Sequence, residues 1–135
     1  MDHMLDADID WTADTIKAAL TTSVEVPSQD TDDYWNDAEA NEVSGTGYTA
    51  GGQALANPTR GYTAGTNVLK LDADDSSWTT ATFTARNAHI YKDRGGATSA
   101  DELISYIDFG ADETVAVGTF SIAFAAAGII TLTAA

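Results

Sequence analysis

Two stretches in the second half of the chain decide the fold: residues 82–91, TFTARNAHIY, and residues 103–109, LISYIDF. In the first stretch, Ala88 and Ile90 alternate with His89, which is the period of an extended strand with two different faces. In the second stretch, apolar residues fall on both faces of an extended chain. This pattern predicts a strand that is central in its sheet or covered by a neighbouring element.

Similar apolar runs recur on both sides of these stretches, separated by clusters of Gly, Thr, Asn and Asp. From residue 44 onward the runs are Tyr48–Leu55, Asn67–Leu71, Thr82–Tyr91, Leu103–Phe109, Thr114–Phe124 and Gly128–Thr133. Such spacing is typical of antiparallel folds made of short strands. We therefore predict a mainly β protein, an antiparallel β-sandwich or barrel of about seven to eight strands with one short helix.

The stretch from Trp11 to Val26 is compatible with either a helix or a strand. Asp14 is placed to cap a helix that would run through Leu20. However, the stretch is rich in β-branched Thr and Val, and its residues also alternate. These two features favour a strand, which is the interpretation we adopt.

The short helix is predicted after the break at residues 27–30. Thr31 is placed to cap it, and acidic residues follow in its first turn, where they favour the positive end of the helix dipole. Its apolar face would carry Tyr34, Trp35 and Ala38.

The chain divides into two predicted parts, an N-terminal arm of residues 1–10 and a single β domain of residues 11–135. The arm alternates acidic with apolar residues, as an edge strand or an extended segment does. A second Met at position 4 suggests that residues 1–3 are the remnant of an expression tag.

One pentapeptide occurs twice, because Gly47–Gly51 and Gly61–Gly65 both have the sequence GYTAG. Two copies are too few for a solenoid, and glycine commonly marks turns. We therefore expect two similar turn-to-strand entries on adjacent strands.

The charge of the chain argues against several classes of partner. Its 135 residues include 21 acidic and 6 basic residues, which give a net charge of −15. Binding to nucleic acid or to an anionic membrane depends on Lys and Arg, so neither partner is expected. The chain has no cysteine, which excludes disulfides, thiol nucleophiles and thiolate metal sites.

A calcium site is the first chemical candidate, because Asp6, Asp8 and Asp10 have the spacing that begins a calcium loop. Trp11 and Lys17 stand where such a loop requires Gly and Glu, so we do not expect a bound ion.

Three further acidic clusters are Asp72–Asp75, Asp101–Glu102 and Asp112–Glu113. Turn chemistry explains the first, with a weak surface cation site as the alternative. The two pairs resemble the paired carboxylates of glycoside hydrolysis, but they flank Gly and Ser-Ala turns. We expect both pairs to lie in solvated loops.

No nucleophile or phosphate loop is evident. His89 is the only histidine beyond residue 3, and the sequence does not single out a hydroxyl and an acid to act with it. The Gly-rich residues 44–47 and 94–96 lack the ending of a phosphate-binding loop. We predict no catalytic, cofactor-binding or metal-binding residue and expect that the protein is not an enzyme.

A series of stretches, taken in order, carries a family resemblance. They are residues 11–20 (WTADTIKAAL), 30–37 (DTDDYWND), 41–52 (NEVSGTGYTAGG), 69–75 (LKLDADD), 84–93 (TARNAHIYKD), 103–110 (LISYIDFG) and 118–132, with its GTFSI and GIITL segments. The set resembles a family of small virion proteins of tailed bacteriophages over nearly the whole chain after residue 11.

This resemblance implies a non-enzymatic virion structural protein, most like a capsid decoration (cement) protein. Such a protein is made in the host cytoplasm, lies on the outer surface of the capsid and binds major capsid subunits, often as a homotrimer. It needs no cofactor. The alternative is a head-fibre, neck, or glycan- or receptor-binding module, in which aromatic residues such as Trp35, Trp78 or Tyr62 would be exposed.

The predicted assembly interface is the arm, through Leu5, Ile9 and Trp11. Their alternating side chains could add a strand to the edge of a neighbouring sheet. Deleting residues 1–10 is then expected to weaken capsid binding without unfolding the domain.

Overall fold

A computed structural model describes residues 8–134, and in this range seven strands form two antiparallel sheets. The strands are β1 (Ile16–Thr21), β2 (Gln53–Ala54), β3 (Thr59–Thr63), β4 (Val68–Asp72), β5 (Ser76–Lys92), β6 (Leu103–Ile122) and β7 (Ile130–Thr133). One short α-helix, α1 (Trp35–Ala38), and the 3-10 turns Glu39–Asn41 and Thr98–Ala100 complete the secondary structure. The predicted mainly β fold, consistent with a small sandwich, is confirmed.

The larger sheet has the order β2-β1-β5-β6. β1 lies inside it, and the predicted strand within residues 11–26 is confirmed over Ile16–Thr21. Its residues are buried on both faces. Ile16, Ala18 and Leu20 enter the main core, whereas Ala19 packs in a second cluster with Trp35.

The predicted runs 103–109 and 114–124 belong to one strand, β6, which pairs with β5 along its length. Between the pairs Ala85↔Glu113 and Asn87↔Asp108, β6 has four residues where β5 has one. Gly110, in this bulge, has a φ of +82°, which glycine adopts without a steric penalty. The bulge therefore joins two regular segments that the sequence presents as separate strands.

The long β5–β6 pair bends sharply. The rings of Phe109 and Phe120, eleven positions apart on β6, have centroids 5.9 Å apart. A straight strand would separate these positions by about 35 Å. Both halves of the pair therefore cover one core, to which Ile90 and Ile104 contribute from one half and Trp78 from the other.

The position of β6 decides between two expected arrangements. Apolar residues on both faces of residues 103–109 predicted a strand that is either central or covered, and β6 is a covered strand at the edge of its sheet. Leu103 is covered by α1, where it packs with Trp35. The apolar pattern thus reflects cover by other elements on the faces of β6, which does not require a strand on each side.

The smaller sheet has the order β3-β4-β7 and touches the core along one row. Leu71 and Ile130 are paired in register and pack against the main core. In the next row on the same face, Tyr62 pairs with Leu69 and Leu69 with Leu132. Tyr62 and Leu132 are 62% and 57% exposed, so this row extends beyond the core into solvent and forms an overhang of the smaller sheet.

The helix begins later than predicted. Its first residue is Trp35, and the carboxylate of Asp37 accepts hydrogen bonds from the backbone N–H groups of Asp33 and Tyr34. Thr31 instead donates its hydroxyl to its neighbour Asp32. Trp35 and Ala38 are buried, as the predicted apolar face requires.

The expectation for the two GYTAG copies is wrong. Gly47–Gly51 lies in the loop before β2, so the predicted run 48–55 is a strand only at Gln53–Ala54. Gly61–Gly65 begins inside β3 and continues into the following turn. The first copy is therefore a loop that leads to the larger sheet, whereas the second is partly a strand of the smaller sheet.

Candidate functional site

Asp10, the last aspartate of the pattern that resembles a calcium loop, stabilises a turn. One oxygen of Asp10 accepts hydrogen bonds from the backbone N–H and the hydroxyl of Thr12, at 3.0 and 2.8 Å, and from Ala13 N–H. These bonds from Thr12 lower the pKa of Asp10. Asp8 contributes its carbonyl to Lys92, and Asp6 lies outside the described residues.

The cluster Asp72–Asp75 forms the connection between β4 and β5 but not the predicted turn, because only Asp72 bonds the local backbone, at Ala73 N–H. Asp72 forms a 2.7 Å ion pair with Lys70, and Asp74 accepts from the Asn57 side chain. Asp75 accepts from the backbone N–H of Phe124 at 2.9 Å. The three carboxylates thus have separate partners. Across residues 8–134, no group of three or more His, Asp or Glu side chains is arranged to hold a metal ion.

The pair Asp101–Glu102 corrects the prediction of a solvated loop, because both residues are buried. Both oxygens of Glu102 accept from Arg94, at distances down to 2.6 Å, and Asp101 accepts from Arg94 N–H. Burial is the largest single effect on the pKa of Glu102 and raises it, but the hydrogen bond from Arg94, a backbone N–H and the charges of Arg94 and Lys92 together lower the pKa. The pair anchors the turn at residues 94–96. Asp112 and Glu113 are exposed, as predicted, but they lie within β6 and not in a loop.

His89 lies in a buried polar cluster on the face of the larger sheet that α1 covers. Its Nε2 is 3.2 Å from the hydroxyl of Thr21, and its ring centroid is 5.8 Å from that of Trp35. Asn87 donates to the same hydroxyl and to the carbonyl of Glu25. Burial lowers the pKa of His89 to about 4, so its ring is neutral at pH 7.

A small cavity beside His89 brings together a hydroxyl, an imidazole and a carboxylate. Its lining includes Ser105, Asp32 and Ser28, and its volume is about 10 Å³, enough for about one water molecule. The buried hydroxyl of Ser105 has no hydrogen-bond partner among the described residues. Since His89 does not bond this hydroxyl, the arrangement lacks the contact that activates a serine nucleophile.

The tryptophans do not form a surface. Trp11, Trp35 and Trp78 are each 4% exposed or less. The exposed aromatic platform that a glycan-binding module would need is therefore not provided by Trp35 or Trp78, and Tyr62 alone of the named aromatics is exposed.

The predicted assembly residues have different positions. Leu5 lies outside the described residues, and Ile9 is partly buried against the main core. Trp11 is buried, and its indole N–H donates to the carbonyl of Asp72 at 2.9 Å. Together with the bond from Lys92 to Asp8, these contacts tie Asp8–Trp11 to the domain. Residues 8–10, which were predicted as part of the arm, therefore contact the domain.

The outer side of β6 has no neighbouring strand in the larger sheet, and we call it the open edge. Within residues 8–134, no strand pairs with this side, and its start is bridged only by Tyr34 at Glu102. Such an edge presents unpaired N–H and C=O groups that can accept another strand. Periodicity could not reveal the open edge, because strand order is a tertiary property.

An apolar cavity of about 430 Å³ lies beside this edge, inside the bend of β6. We call it the β6 groove. It is lined by Ile107 and Phe109 from one segment of β6, by Ser121 and Ile122 from the other, and by residues 123–125, 128 and 129 of the loop before β7.

Two other exposed apolar residues, Val24 and Val26, are 73% and 80% exposed on the loop after β1.

None of the helices among the described residues has the length and hydrophobicity to cross a membrane. No protein-family model, curated protein or solved structure matches this chain.

Proposed function

We propose that this chain is a non-enzymatic structural protein of a tailed-bacteriophage virion, a capsid decoration protein. It binds major capsid subunits on the outer surface of the head and acts as a homo-oligomer, with a trimer as the expected form. The family resemblance supplies the virion setting. The observation that best supports an assembly role is the open edge of β6 next to the apolar β6 groove.

The chemistry of the surface supports the same role. A protein that is made in many copies and then assembled must stay soluble before assembly, and a net charge of −15 keeps free copies apart. The chain must then bind capsid subunits through contacts that its negative charge does not weaken. Backbone pairing at an open edge and burial of apolar side chains such as Val24 and Val26 are contacts of that kind.

The polar residues that first suggested chemistry contribute to folding. Asp10 closes a turn, Glu102 holds Arg94, and His89 is enclosed beside a cavity about the size of one water molecule. This use of the reactive side chains leaves surfaces and edges as the parts of the molecule that act on partners.

The first test is to locate and count the chain in purified particles by cryo-electron microscopy and quantitative mass spectrometry. A decoration protein covers a symmetric lattice, so copies on the order of hundreds on the outer head are expected. A dozen copies or fewer at one vertex would replace this proposal with the neck or fibre alternative. Absence from the particles would overturn both.

The second test concerns the arm. Deleting residues 1–7 removes Leu5 but keeps the contacts of Asp8 with Lys92 and of Ile9 with the core. We expect lower occupancy on capsids and an unchanged unfolding midpoint. Leu5→Ser should lower occupancy in the same way, whereas the neighbouring polar change Asp6→Asn should not. Equal occupancy of all variants would remove the arm from the interface.

A further inference from the structure

We propose that the β6 groove binds an extended, positively charged segment of a different protein chain. Apolar side chains of that segment enter the groove, and its backbone pairs with the open edge. The origin of the partner in the virion rests on the proposed function, whereas the chemistry of the partner rests on the groove itself.

At the β6 groove, the chain covers the side chains of the core only in part. Phe109 lies on its wall with its ring 5.9 Å from that of the core residue Phe120. Ile107, Phe124 and Ile129 also line the groove and are only partly buried, although they pack against the core. A segment that fills the groove would complete the burial of side chains that the chain itself covers only in part, which stabilises the complex.

The groove continues along β6. A second cavity of about 460 Å³ shares Phe109 and Ser121 with it and is also lined by Glu113, Val115 and Phe120. The two cavities together follow the inner side of the bend. A surface of this shape suits an extended segment with alternating side chains better than it suits a helix or a compact ligand.

The backbone of β6 provides the second contact. Bulges interrupt the pairing of β6 around residues 109–112 and at Val117. These bulged segments are poorly placed to form regular hydrogen bonds with an added strand. Regular pairing is found at residues 105–108, 113–116 and 120–122, and the first and the last of these segments both line the groove. A short strand can therefore pair with one segment while its side chains contact the other.

The charge around the groove selects the partner. β6 carries Asp108, Asp112 and Glu113 and no Lys or Arg, and residues 123–133 carry no charge. Lys70 donates to the carbonyl of Ala126 in the loop that lines the groove, but its charge is paired with Asp72 at 2.7 Å. Arg86 neutralises Asp108 in the same way, which leaves the exposed pair Asp112 and Glu113 at the bend. A segment with Lys or Arg next to its apolar residues complements this bend. A second copy of this chain has a net charge of −15 and so does not complement the charge of this groove, whichever surface joins the copies of the proposed oligomer.

The test uses synthetic peptides of equal length as probes for the ¹⁵N-labelled full chain. In one, Val and Lys alternate; in the second, Ser replaces Val; in the third, Glu replaces Lys. We expect the Val–Lys peptide to shift the NMR signals of residues 105–109 and 119–129. The Ser–Lys and Val–Glu peptides should each bind at least about tenfold more weakly, because each lacks one of the two contributions.

Two variants locate the site. Phe109→Ser should abolish binding of the Val–Lys peptide. The double change Asp112→Asn and Glu113→Gln affects exposed residues, so the fold should be retained while affinity falls roughly three- to tenfold and loses its salt dependence. The matched control Val26→Ser alters an exposed apolar residue elsewhere and should bind like the original chain.

Three outcomes would overturn the inference: signal shifts on another surface, binding by the Val–Glu peptide as strong as by Val–Lys, or affinity unchanged in the charge-neutralised variant. Self-association that the same variants remove would identify a second copy as the occupant instead. These results are independent of the copy count in particles. A chain that covers heads but ignores the peptides refutes the groove alone, and a chain that binds the peptides but is absent from particles refutes the virion role alone.

Discussion

Two copies of one pentapeptide, GYTAG, have opposite environments in this molecule. In the first copy, the Tyr48 hydroxyl donates to Glu42 at 2.7 Å and accepts from Leu20 N–H at 2.9 Å. The Tyr48 ring lies 5.7 Å from that of Phe83, edge-on. In the second copy, Tyr62 is largely exposed on β3, and its hydroxyl donates to the nearby Asn67.

The glycines differ as much as the tyrosines. Gly47 has a φ of +80°, and a Cβ built on it would lie 2.8 Å from the carbonyl oxygen of Thr79. Gly61 is extended within β3, and a Cβ there would meet nothing within 4 Å. Identical local sequence therefore does not fix local structure. The surrounding β1 and β5 strands decide the conformation of the first copy, and the overhang of the smaller sheet decides that of the second.

The two copies should differ most in how much the free energy of unfolding falls when the tyrosine side chain is removed. Tyr48→Ala should lower the free energy of unfolding by about 3 kcal/mol, since it leaves a cavity, removes the acceptor of Leu20 N–H and takes one of the hydrogen bonds from Glu42. Tyr62→Ala should change it by less than about 0.5 kcal/mol. Chemical denaturation monitored by tryptophan fluorescence measures both, and equal losses would contradict the assigned environments.

The glycines give the next largest difference. Gly47→Ala should cost about 2 kcal/mol, because alanine is strained at positive φ and its Cβ would meet backbone atoms of β5. Gly61→Ala should be neutral or stabilising by up to about 0.5 kcal/mol, because alanine fits an extended strand. A cost for Gly61→Ala as large as that for Gly47→Ala in the same denaturation assay would refute the distinction.

The hydroxyl groups alone should give a smaller difference. Tyr48→Phe keeps the ring but removes the acceptor of Leu20 N–H and the donor to Glu42, at an expected cost of about 1–2 kcal/mol. Tyr62→Phe removes only an exposed bond and should have no measurable effect. Hydrogen exchange at Leu20 should accelerate in the first variant and stay unchanged in the second; the reverse would be inconsistent with the contacts described.

The smallest effect concerns Glu42, whose carboxylate also accepts from Gly51 N–H. Burial raises the pKa of Glu42, so its contribution to stability is present at low pH and is lost as the pH rises through that pKa. Glu42→Gln keeps an acceptor for Tyr48 and Gly51 but cannot ionise. Relative to the original chain, this variant should therefore gain stability, by less than about 1 kcal/mol, as the pH rises from about 4 to 7. A constant difference across that range would show that burial of the charge has no effect.

Parts of the fold were predictable because the strands with the clearest alternation are also the ones packed against the core. Ala88 and Ile90 enter the main core while His89 and Tyr91 face α1, as the period of two requires. The start of the helix was misplaced because the acid that holds its N-terminus, Asp37, lies inside it. The burial of Glu102 could not be predicted, since it depends on the position of Arg94 after the turn.

The candidate site was less predictable than the fold. The arm residue Trp11 was expected at an interface and is buried, because the carbonyl of Asp72, far along the chain, is positioned to accept its indole N–H. The β6 groove combines residues that are separate in sequence, such as Ile107 and Ile122. They meet only because the β5–β6 pair bends.

The sequence by itself determined the mainly β class, the approximate strand number, the acidic surface and the lack of thiol chemistry, because these follow from residue type and short-range periodicity. Tertiary structure alone decided that β6 is an edge strand and that an apolar groove opens beside the acidic bend. It also decided that GYTAG is a loop with a partly buried tyrosine in one place and an exposed strand end and turn in another. Each of these depends on contacts between distant residues. Such contacts are set by how the whole chain buries its apolar surface, which no local pattern encodes.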